Sequence, residues 1–150
     1  MEVLLHVDWN VLNTYIENKK IIANKHPEYD IWILNYSKDT QFEQAWDLYT
    51  LSCRGLVIDA DGNILARPFK KFFNYEEVQN KIDMNKPFEA YEKMDGSLII
   101  LFYYPKEQKW LVASRGSFIS EQAEMARKII KKYNIEKLDT TKTYIFEIIY

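Results

Sequence analysis

The stretch RGLVIDADGNILARPF, residues 54–69, places two short apolar runs on either side of Asp61 and Gly62. An Asp-Gly pair between such runs is the strongest short-range signal for a β-hairpin, because both residues tolerate the backbone of a tight turn. The stretch therefore predicts two antiparallel strands, joined at Asp61-Gly62.

Further strands and two helices are predicted outside this hairpin. β-Branched and aromatic content predicts strands at 31–36, a pair of strands within 88–104, and strands at 109–116 and 143–150. Apolar residues at helical spacing predict a helix over 11–22, capped by Asp8, and an amphipathic helix over 120–133. Strands joined by hairpins, with helices before and after them, are typical of an α+β domain built on antiparallel sheet rather than a doubly wound parallel one.

Composition limits the classes of function. With 150 residues, of which 47% are apolar, the chain fits one globular domain. Its formal net charge of -2 excludes a general basic surface, so any contact with nucleic acid must come from a local patch. The single cysteine, Cys53, excludes an internal disulfide and a cysteine-rich zinc site. The N-terminus lacks a signal-peptide pattern and no segment approaches the ~20 apolar residues of a membrane span, so we expect a cytoplasmic protein without membrane contact.

The stretch YEKMDGSLII, residues 91–100, allows two interpretations of Lys93. Taken alone, K-x-D-G before an apolar run indicates a turn, and Lys93 is then a solvated neighbour of that turn. Alternatively, the turn holds Lys93 at the mouth of a pocket, where its deprotonated amine can attack a phosphorus or carbonyl centre. The four residues leave both interpretations open.

Four charged residues stand within or beside apolar strands, where an ionic group needs a partner, a ligand or a route to water. They are Arg54, Lys71, Arg115 and Glu147. Each one singly suits a strand end that reaches water. Glu147 is the hardest to explain in this way, because apolar residues stand on both faces of its strand.

Five segments, in chain order, resemble segments of one enzyme family: SCRGLVID, RPFKKFFNYEE, EKMDGS, SRGSFISEQA and YIFEIIY. Together they look like the adenylyltransferase domain of the phage-type, ATP-dependent RNA ligases that repair broken tRNA, within the lysine-nucleotidyltransferase superfamily. The stretch from Lys93 to Gly96 resembles motif I, and Glu147 lies in a segment that resembles motif III. DNA ligases usually have K-x-D-G-x-R, so the pair Ser97-Leu98 favours the RNA-ligase branch. The first ~30 residues match no family segment.

The resemblance implies an activity, its substrates and its cofactors. Lys93 would attack the α-phosphorus of ATP, expel pyrophosphate and hold AMP through a phosphoramidate bond. AMP would pass to the 5′-phosphate of an RNA end, such as that of a broken tRNA, and an RNA 3′-hydroxyl would displace it. Mg²⁺ or Mn²⁺ would assist, and cations such as Lys71 and Arg115 would favour the neutral, reactive amine.

The same resemblance implies roles for several binding residues. If Lys71 meets the nucleotide phosphates, alternation along a strand puts Phe73 on the adenine and Phe72 in the core. Glu147 resembles the carboxylate that binds the ribose hydroxyls, and Arg54 resembles the arginine that reaches the phosphates or the ribose. We therefore expect one cavity to be lined by Lys93, Lys71, Phe73, Arg54 and Glu147.

Four further residues have weaker or structural roles by resemblance. Tyr36 matches a nucleotide-binding position, although a buried strand tyrosine is more often part of a core. Asp95 and Gly96 shape the turn behind the nucleophile. Arg115 stands where the family has lysine, and because arginine adds a fixed fork of donors, its contact is expected on a different oxygen.

The resemblance runs to Tyr150, just beyond motif III. Family members continue into motif IV, which supplies a metal-site carboxylate, and motif V, which supplies lysines to the α-phosphate. We therefore expect residues 1–150 to be the N-terminal part of an ATP-grasp-like nucleotidyltransferase domain, incomplete at its C-terminus and defective in ligation alone. On this view the chain is a fragment of a longer protein or a truncated gene product, or a second chain completes it, and uncovered sheet edges favour self-association.

Two other classes of function stay open at this level. The chain could be a non-catalytic nucleotide- or RNA-binding module that kept motif I, or a structural domain in which K-x-D-G is only a turn. A capping-enzyme relative is a further option among enzymes, and it would use GTP instead of ATP. A covalent AMP label that disappears in Lys93→Ala would distinguish the ligase from the first two.

Overall fold

The computed structural model describes residues 2–150, and two antiparallel sheets form its framework. The first sheet has the strand order β1-β2-β3-β4, with β1 at Ile21–Lys25, β2 at Ile31–Tyr36, β3 at Arg54–Asp59 and β4 at Ile64–Ala66. The second sheet has the order β6-β5-β7, with β5 at Ser97–Tyr104, β6 at Lys109–Ser114 and β7 at Tyr144–Ile148. The predicted α+β class with antiparallel sheet is confirmed.

Helices connect and cover the sheets. The α-helices are α1 at Trp9–Glu17, α2 at Lys38–Glu43, α3 at Leu48–Ser52, α4 at Tyr75–Val78 and α5 at Glu121–Ile130. Short 3₁₀ turns lie at Gln79–Lys81, Pro105–Glu107 and Ile135–Lys137. Within residues 2–150, none of these helices has the length and apolar character needed to cross a lipid bilayer.

Alternate residues of the strands pack into different cores, which stacks the elements in layers. Ile33 and Val57 of the first sheet meet Ile100 and Phe102 of the second in a core between the sheets. The opposite face of the first sheet packs on α1 through residues such as Leu12, Leu34 and Leu56. The opposite face of the second sheet packs on α5 through residues such as Ile99, Leu101 and Ala126. Since side chains alternate along a strand, each sheet is apolar on both faces.

The predicted hairpin at Asp61-Gly62 is confirmed, and its turn requires glycine. Gly62 has φ +82°, and a Cβ at this position would overlap the carbonyl oxygen of Val7. The same close approach carries a backbone hydrogen bond from Val7 N to Gly62 O at 2.9 Å. The turn therefore also fixes the chain just before α1.

The first predicted helix was too long. Asp8 caps α1 as expected, with its side chain accepting from Asn10 N, but the helix ends at Glu17. Lys19 has a positive φ of 58°, and Ile21 then begins β1, which pairs with β2. Because β-branched residues suit a strand edge at least as well as a helix, pairing with β2 prevailed over helical spacing. The helix predicted over 120–133 likewise ends earlier, at Ile130.

The strand pair predicted within 88–104 is wrong in its first half. The second half is β5, whereas residues 87–96 have no regular secondary structure and are exposed. The physical reason is the position of β5, since both its edges are already occupied by β6 and β7. A strand just before Lys93 would have no free edge of β5 with which to pair.

Candidate functional site

An open cavity of about 590 Å³ lies where the two sheets meet at one end. Its charged lining consists of Arg54, Lys93, Arg115 and Glu147. Phe69 and Phe72 form an aromatic rim, exposed by 65% and 57%. The rest of the wall is small, polar or apolar: Gly96, Ser97, Leu98, Ser114, Gly116, Gln122, Ile145 and Phe146.

The order of the second sheet brings three of these charged residues together. In register, Ile99 near the start of β5 lies between Ser114 of β6 and Phe146 of β7. Both neighbours are antiparallel to β5, so the start of β5 stands beside the ends of β6 and β7. Lys93 precedes β5, Arg115 follows β6 and Glu147 is near the end of β7, so all three reach the same edge.

Glu147 contacts the K-x-D-G stretch directly. Its Oε1 accepts a hydrogen bond from the backbone N–H of Gly96 at 3.1 Å, and Glu147 is in register with Leu98. A Cβ on Gly96 would overlap the carbonyl oxygen of Ile148, so only glycine allows this approach. Lys93 and Glu147 therefore face one cavity, while Asp95 is exposed and does not line it.

Arg54 and Arg115 give the cavity a cationic wall. Burial, and then the neighbouring charge of Arg115, lower the pKa of Arg54, while Tyr36 and Glu147 act in the opposite direction. The Arg115 guanidinium lies over the ring of Tyr36 at 5.0 Å. Its Nε is buried and, among residues 2–150, has no hydrogen-bond partner. Two close guanidinium groups and an unused donor are the features expected of a site for an anion.

Lys71 and Phe73 do not line this cavity, contrary to expectation. The Lys71 ammonium lies over the rings of Tyr36, Trp46 and Phe73, at 5.9, 5.7 and 5.0 Å. Phe73 also packs edge-on against Trp46, with ring centroids 5.6 Å apart. The three rings form a cage around the Lys71 ammonium. Tyr36 joins this cage to the cationic wall, because its ring also lies under the Arg115 guanidinium.

The prediction that Phe72 belongs to the core is wrong. Phe72 is exposed, lines the cavity and lies under the guanidinium of Arg54 at 5.1 Å. The prediction assumed alternation along a strand, but residues 67–74 form no strand. Lys71 is instead held by a hydrogen bond from its backbone N–H to Leu51 O at 2.8 Å. Without a strand, neighbouring side chains follow the loop rather than a period of two.

Phe69 and two polar residues of the cavity wall, Ser97 and Gln122, were missed as site residues although their segments were quoted. Gln122 lies in the first turn of α5, and its Nε2 donates to the Tyr150 hydroxyl at 3.1 Å. Ser97 Oγ lies 3.2 Å from the same hydroxyl. The K-x-D-G-S and SRGSFISEQA segments are the signals that could have indicated them. The Tyr150 hydroxyl thus links the two polar side chains of the wall.

The described residues do not supply a closed metal site. Within 2–150 there is no group of three His, Cys, Asp or Glu side chains placed to hold one ion. Mg²⁺ is commonly bound through one or two carboxylates together with substrate phosphates. Glu147 is the one carboxylate among the described residues that line the cavity, so a magnesium ion there would be coordinated mainly by substrate phosphates.

A second cavity, of about 520 Å³, lies between α5 and β7. Its lining is almost wholly apolar, with Leu101, Ile130 and Ile148 among its residues. Glu147 is its one charged contact within the described chain, and no cation faces it. It therefore lacks the groups that would meet phosphates.

Comparisons with known proteins match this chain to RNA ligases. A family model described as RNA ligase matches residues 52–148, more than half of the chain. A bifunctional polynucleotide kinase/RNA ligase, so named, of Autographa californica nuclear polyhedrosis virus is 27% identical over 157 residues, covering 94% of this chain and 22% of the relative. An RNA ligase of Rhodothermus phage RM378 is 27% identical over 113 residues, covering 59% of this chain and 24% of the relative.

The match to the family model includes Arg54, Lys93, Arg115 and Glu147, the four charged residues of the cavity. The chain spans less than a quarter of the length of these two relatives. With a family match over residues 52–148, the chain belongs to the RNA ligase family.

Proposed function

We propose that the cationic cavity binds ATP and that Lys93 accepts AMP from it, as the first step of RNA ligation by a nucleotidyltransferase domain. The observation that carries this proposal is the meeting of Lys93, Arg54, Arg115 and Glu147 in one cavity of a chain from the RNA ligase family. A turn lysine with no chemical role has no reason to face two arginines and a glutamate.

The phosphates of ATP fit the arginine side of the cavity. Arg54 and Arg115 repel each other, and an anion between them would relieve that repulsion. Guanidinium N–H groups of both arginines would donate to phosphate oxygens in the same step. Binding of a triphosphate is therefore favoured by both charge and hydrogen bonding.

The ribose and the base fit the remaining walls. The backbone N–H of Gly96 donates a hydrogen bond to Oε1 of Glu147, and Oε2 remains as an acceptor for the ribose hydroxyls. Phe72 and Phe69 offer exposed rings at the rim on which adenine can stack. In this arrangement the cage of Tyr36, Trp46 and Phe73 around Lys71 supports the wall from behind, and Lys71 contributes positive charge without a direct contact.

Lys93 then supplies the chemistry. Its neutral amine attacks the α-phosphorus, and the N–P bond forms as the bond to the bridging oxygen of the β-phosphate breaks. The nitrogen releases one proton to solvent, and pyrophosphate leaves with its charge facing the arginines. A bound Mg²⁺ would neutralise charge on the phosphates. AMP is next transferred from Lys93 to the 5′-phosphate of an RNA end, and attack by an RNA 3′-hydroxyl forms the phosphodiester bond and releases AMP. The substrates are then RNAs with a 5′-phosphate and a 3′-hydroxyl, a broken tRNA among them.

Covalent labelling tests the proposal. The chain is incubated with ATP labelled at the α-phosphate and Mg²⁺, and the denatured protein is analysed for bound AMP. We expect a label in the wild type and none in Lys93→Arg, because a guanidinium stays protonated and has no lone pair to attack phosphorus. Lys86→Arg, in the same exposed segment but outside the cavity, is the matched control and should label normally.

Three outcomes would contradict the proposal or narrow it. Undiminished labelling of Lys93→Arg would show that Lys93 is not the acceptor. Labelling by GTP in place of ATP would indicate a capping-type nucleotide transferase. If wild type binds ATP by titration calorimetry yet forms no covalent AMP, the cavity is a nucleotide-binding site without turnover, and the catalytic part of the proposal is wrong.

A further inference from the structure

Arg115 is held in the cavity by a residue of the other sheet. It follows β6, in a turn with Gly116, and its side chain has no ion pair in the described chain. The turn is fixed from outside by Asn35 Nδ2, which donates to the carbonyl oxygen of Arg115 at 2.9 Å, across 80 residues of sequence. Because a carbonyl oxygen can only accept, this contact fixes the orientation of the Asn35 amide.

Asn35 also stands beside the second arginine of the cavity. The ladder between β2 and β3 shifts register between Leu34 and Asn35, and after this bulge Asn35 pairs with Arg54. A bulge re-aims the side chains next to it. The following residue, Tyr36, lies under the Arg115 guanidinium, and it acts to raise the pKa of Arg54 against the effect of burial. The bulge therefore places two consecutive residues against both arginines.

The chemistry of Asn35 argues against a role in stability alone. Its Oδ1 is buried and, within residues 2–150, has no hydrogen-bond partner. A buried acceptor left unpaired destabilises a fold, and the preceding residues Ile33 and Leu34 show that apolar side chains suit this strand. Asparagine makes one contact here that an apolar residue cannot make, the hydrogen bond from Asn35 Nδ2 to the carbonyl oxygen of Arg115.

We propose that Asn35 is a positioning residue that holds Arg115 close to Arg54 against their mutual repulsion, so that both can meet the phosphates of one nucleotide. The inference rests on the proposed nucleotide site and adds a residue that touches neither phosphate nor base. Asn24 on β1 makes a similar but exposed contact, from Nδ2 to Gly116 O at 3.0 Å, and reinforces the same turn.

The decisive variant is Asn35→Leu, which removes the donor and the unpaired acceptor while keeping the branching and the number of side-chain heavy atoms. We expect ATP to bind about tenfold more weakly, the loss of one well-placed charge-assisted contact, while the thermal midpoint stays level or rises. If Asn35 had only a structural role, Asn35→Leu would have a lower thermal midpoint and an unchanged affinity for ATP. Asn13→Leu, an exposed asparagine of α1, is the matched control and should change neither quantity.

A double-mutant cycle asks whether Asn35 acts through Arg115. In an Arg115→Ala background, Asn35→Leu should cause no further loss of ATP affinity, because the group that it positions is gone. Additive losses would overturn the proposal, as would wild-type ATP affinity in Asn35→Leu. If Asn35→Leu does not fold, Asn35→Asp keeps the shape, replaces the donor with an acceptor and should weaken ATP binding at least as much.

A measurement without nucleotide separates this inference from the proposed function. The ¹⁵N–¹H signal of Arg115 Nε reports the position of that group directly. We expect it to shift in Asn35→Leu and to stay unchanged in Asn13→Leu, whether or not ATP binds. An unmoved signal would refute positioning by Asn35. Absence of ATP binding by wild type, with the signal shifted as expected, would instead refute the nucleotide site.

Discussion

Gly96 is the point at which the K-x-D-G stretch approaches β7 most closely, and replacing it with alanine should displace Lys93. A Cβ there would overlap the carbonyl oxygen of Ile148 and lie 2.9 Å from Ile149 Cδ1. The strand β7 cannot retreat, because Ile148 is in register with Ser97 of β5. The exposed segment that carries Lys93 must therefore move, by about 1 Å, to reach ordinary van der Waals distance.

The effect on chemistry should exceed the effect on stability. The shift breaks the hydrogen bond from Gly96 N–H to Glu147 and moves Lys93 relative to the arginine wall, and a misplacement of about 1 Å can slow a reaction ~10²-fold. Overpacking at this exposed position should lower the free energy of unfolding by only about 1 to 2 kcal/mol. That corresponds to a fall in thermal midpoint of roughly 2 to 8 °C.

The assay is the initial rate of AMP incorporation, measured with the thermal midpoint of the same preparation. Gly116→Ala is the comparison, since a methyl group at Gly116 meets nothing within 4 Å although it faces the same cavity. We expect its rate to fall by less than about tenfold. Equal rates for Gly96→Ala and wild type would refute the view that this close approach aims Lys93.

Three further predictions concern pH, thiol chemistry and the lysine cage. Burial lowers the pKa of His26, whose Nδ1 accepts hydrogen bonds from two backbone N–H groups. The unfolded state therefore binds more protons than the folded state, so the free energy of unfolding should fall as the pH drops below about 6.5. The fall should be smaller in His26→Asn. Parallel midpoint-versus-pH curves would contradict this. Burial raises the pKa of the Cys53 thiol to about 12, so a thiol reagent at about pH 8 should react only as fast as the chain unfolds; rapid reaction of the folded chain would show an open path to Cys53. Lys71→Met keeps the stem but loses contacts with three rings, and a urea titration should show a loss of about 1 to 2 kcal/mol that Lys81→Met does not share.

The elements that sequence predicted well are those decided by local chemistry. The hairpin at Asp61-Gly62 and the cap of α1 at Asp8 depend on a few neighbouring residues, and both are present. The strands β2, β5 and β6 are apolar runs with strand-forming residues, so long-range packing agreed with local preference. Four charged residues were singled out because they stood beside such runs, and three of them, Arg54, Arg115 and Glu147, line the cavity, whereas Lys71 lies in the cage of three rings.

The errors arose where tertiary contacts decide. Ile21 continued a helical pattern but pairs with β2, and residues 88–92 looked like a strand but have no free strand edge beside them. Phe72 lies at the cavity rim instead of the core, and Phe73 packs on Trp46 instead of lining the cavity, because their segment is a loop. Asn35 could not be singled out at all, since its role depends on a bulge and on a turn 80 residues away. None of these contacts leaves a periodic pattern in the sequence.

The convergence of the cavity residues depends on two features of the fold that act together. The order β6-β5-β7 puts the residues before β5 beside those after β6 and near the end of β7, which joins Lys93, Arg115 and Glu147. Arg54 belongs to the other sheet, and its approach is allowed by Gly55, which has φ +85°. A Cβ on Gly55 would lie 2.7 Å from Ile100 Cδ1 and 3.4 Å from Arg115 O, so a larger residue would displace the Ile100 side chain and would also be strained at this positive φ. The glycine after Arg54 thus suits the close approach of the two sheets at the point where Arg54 and Arg115 line one cavity.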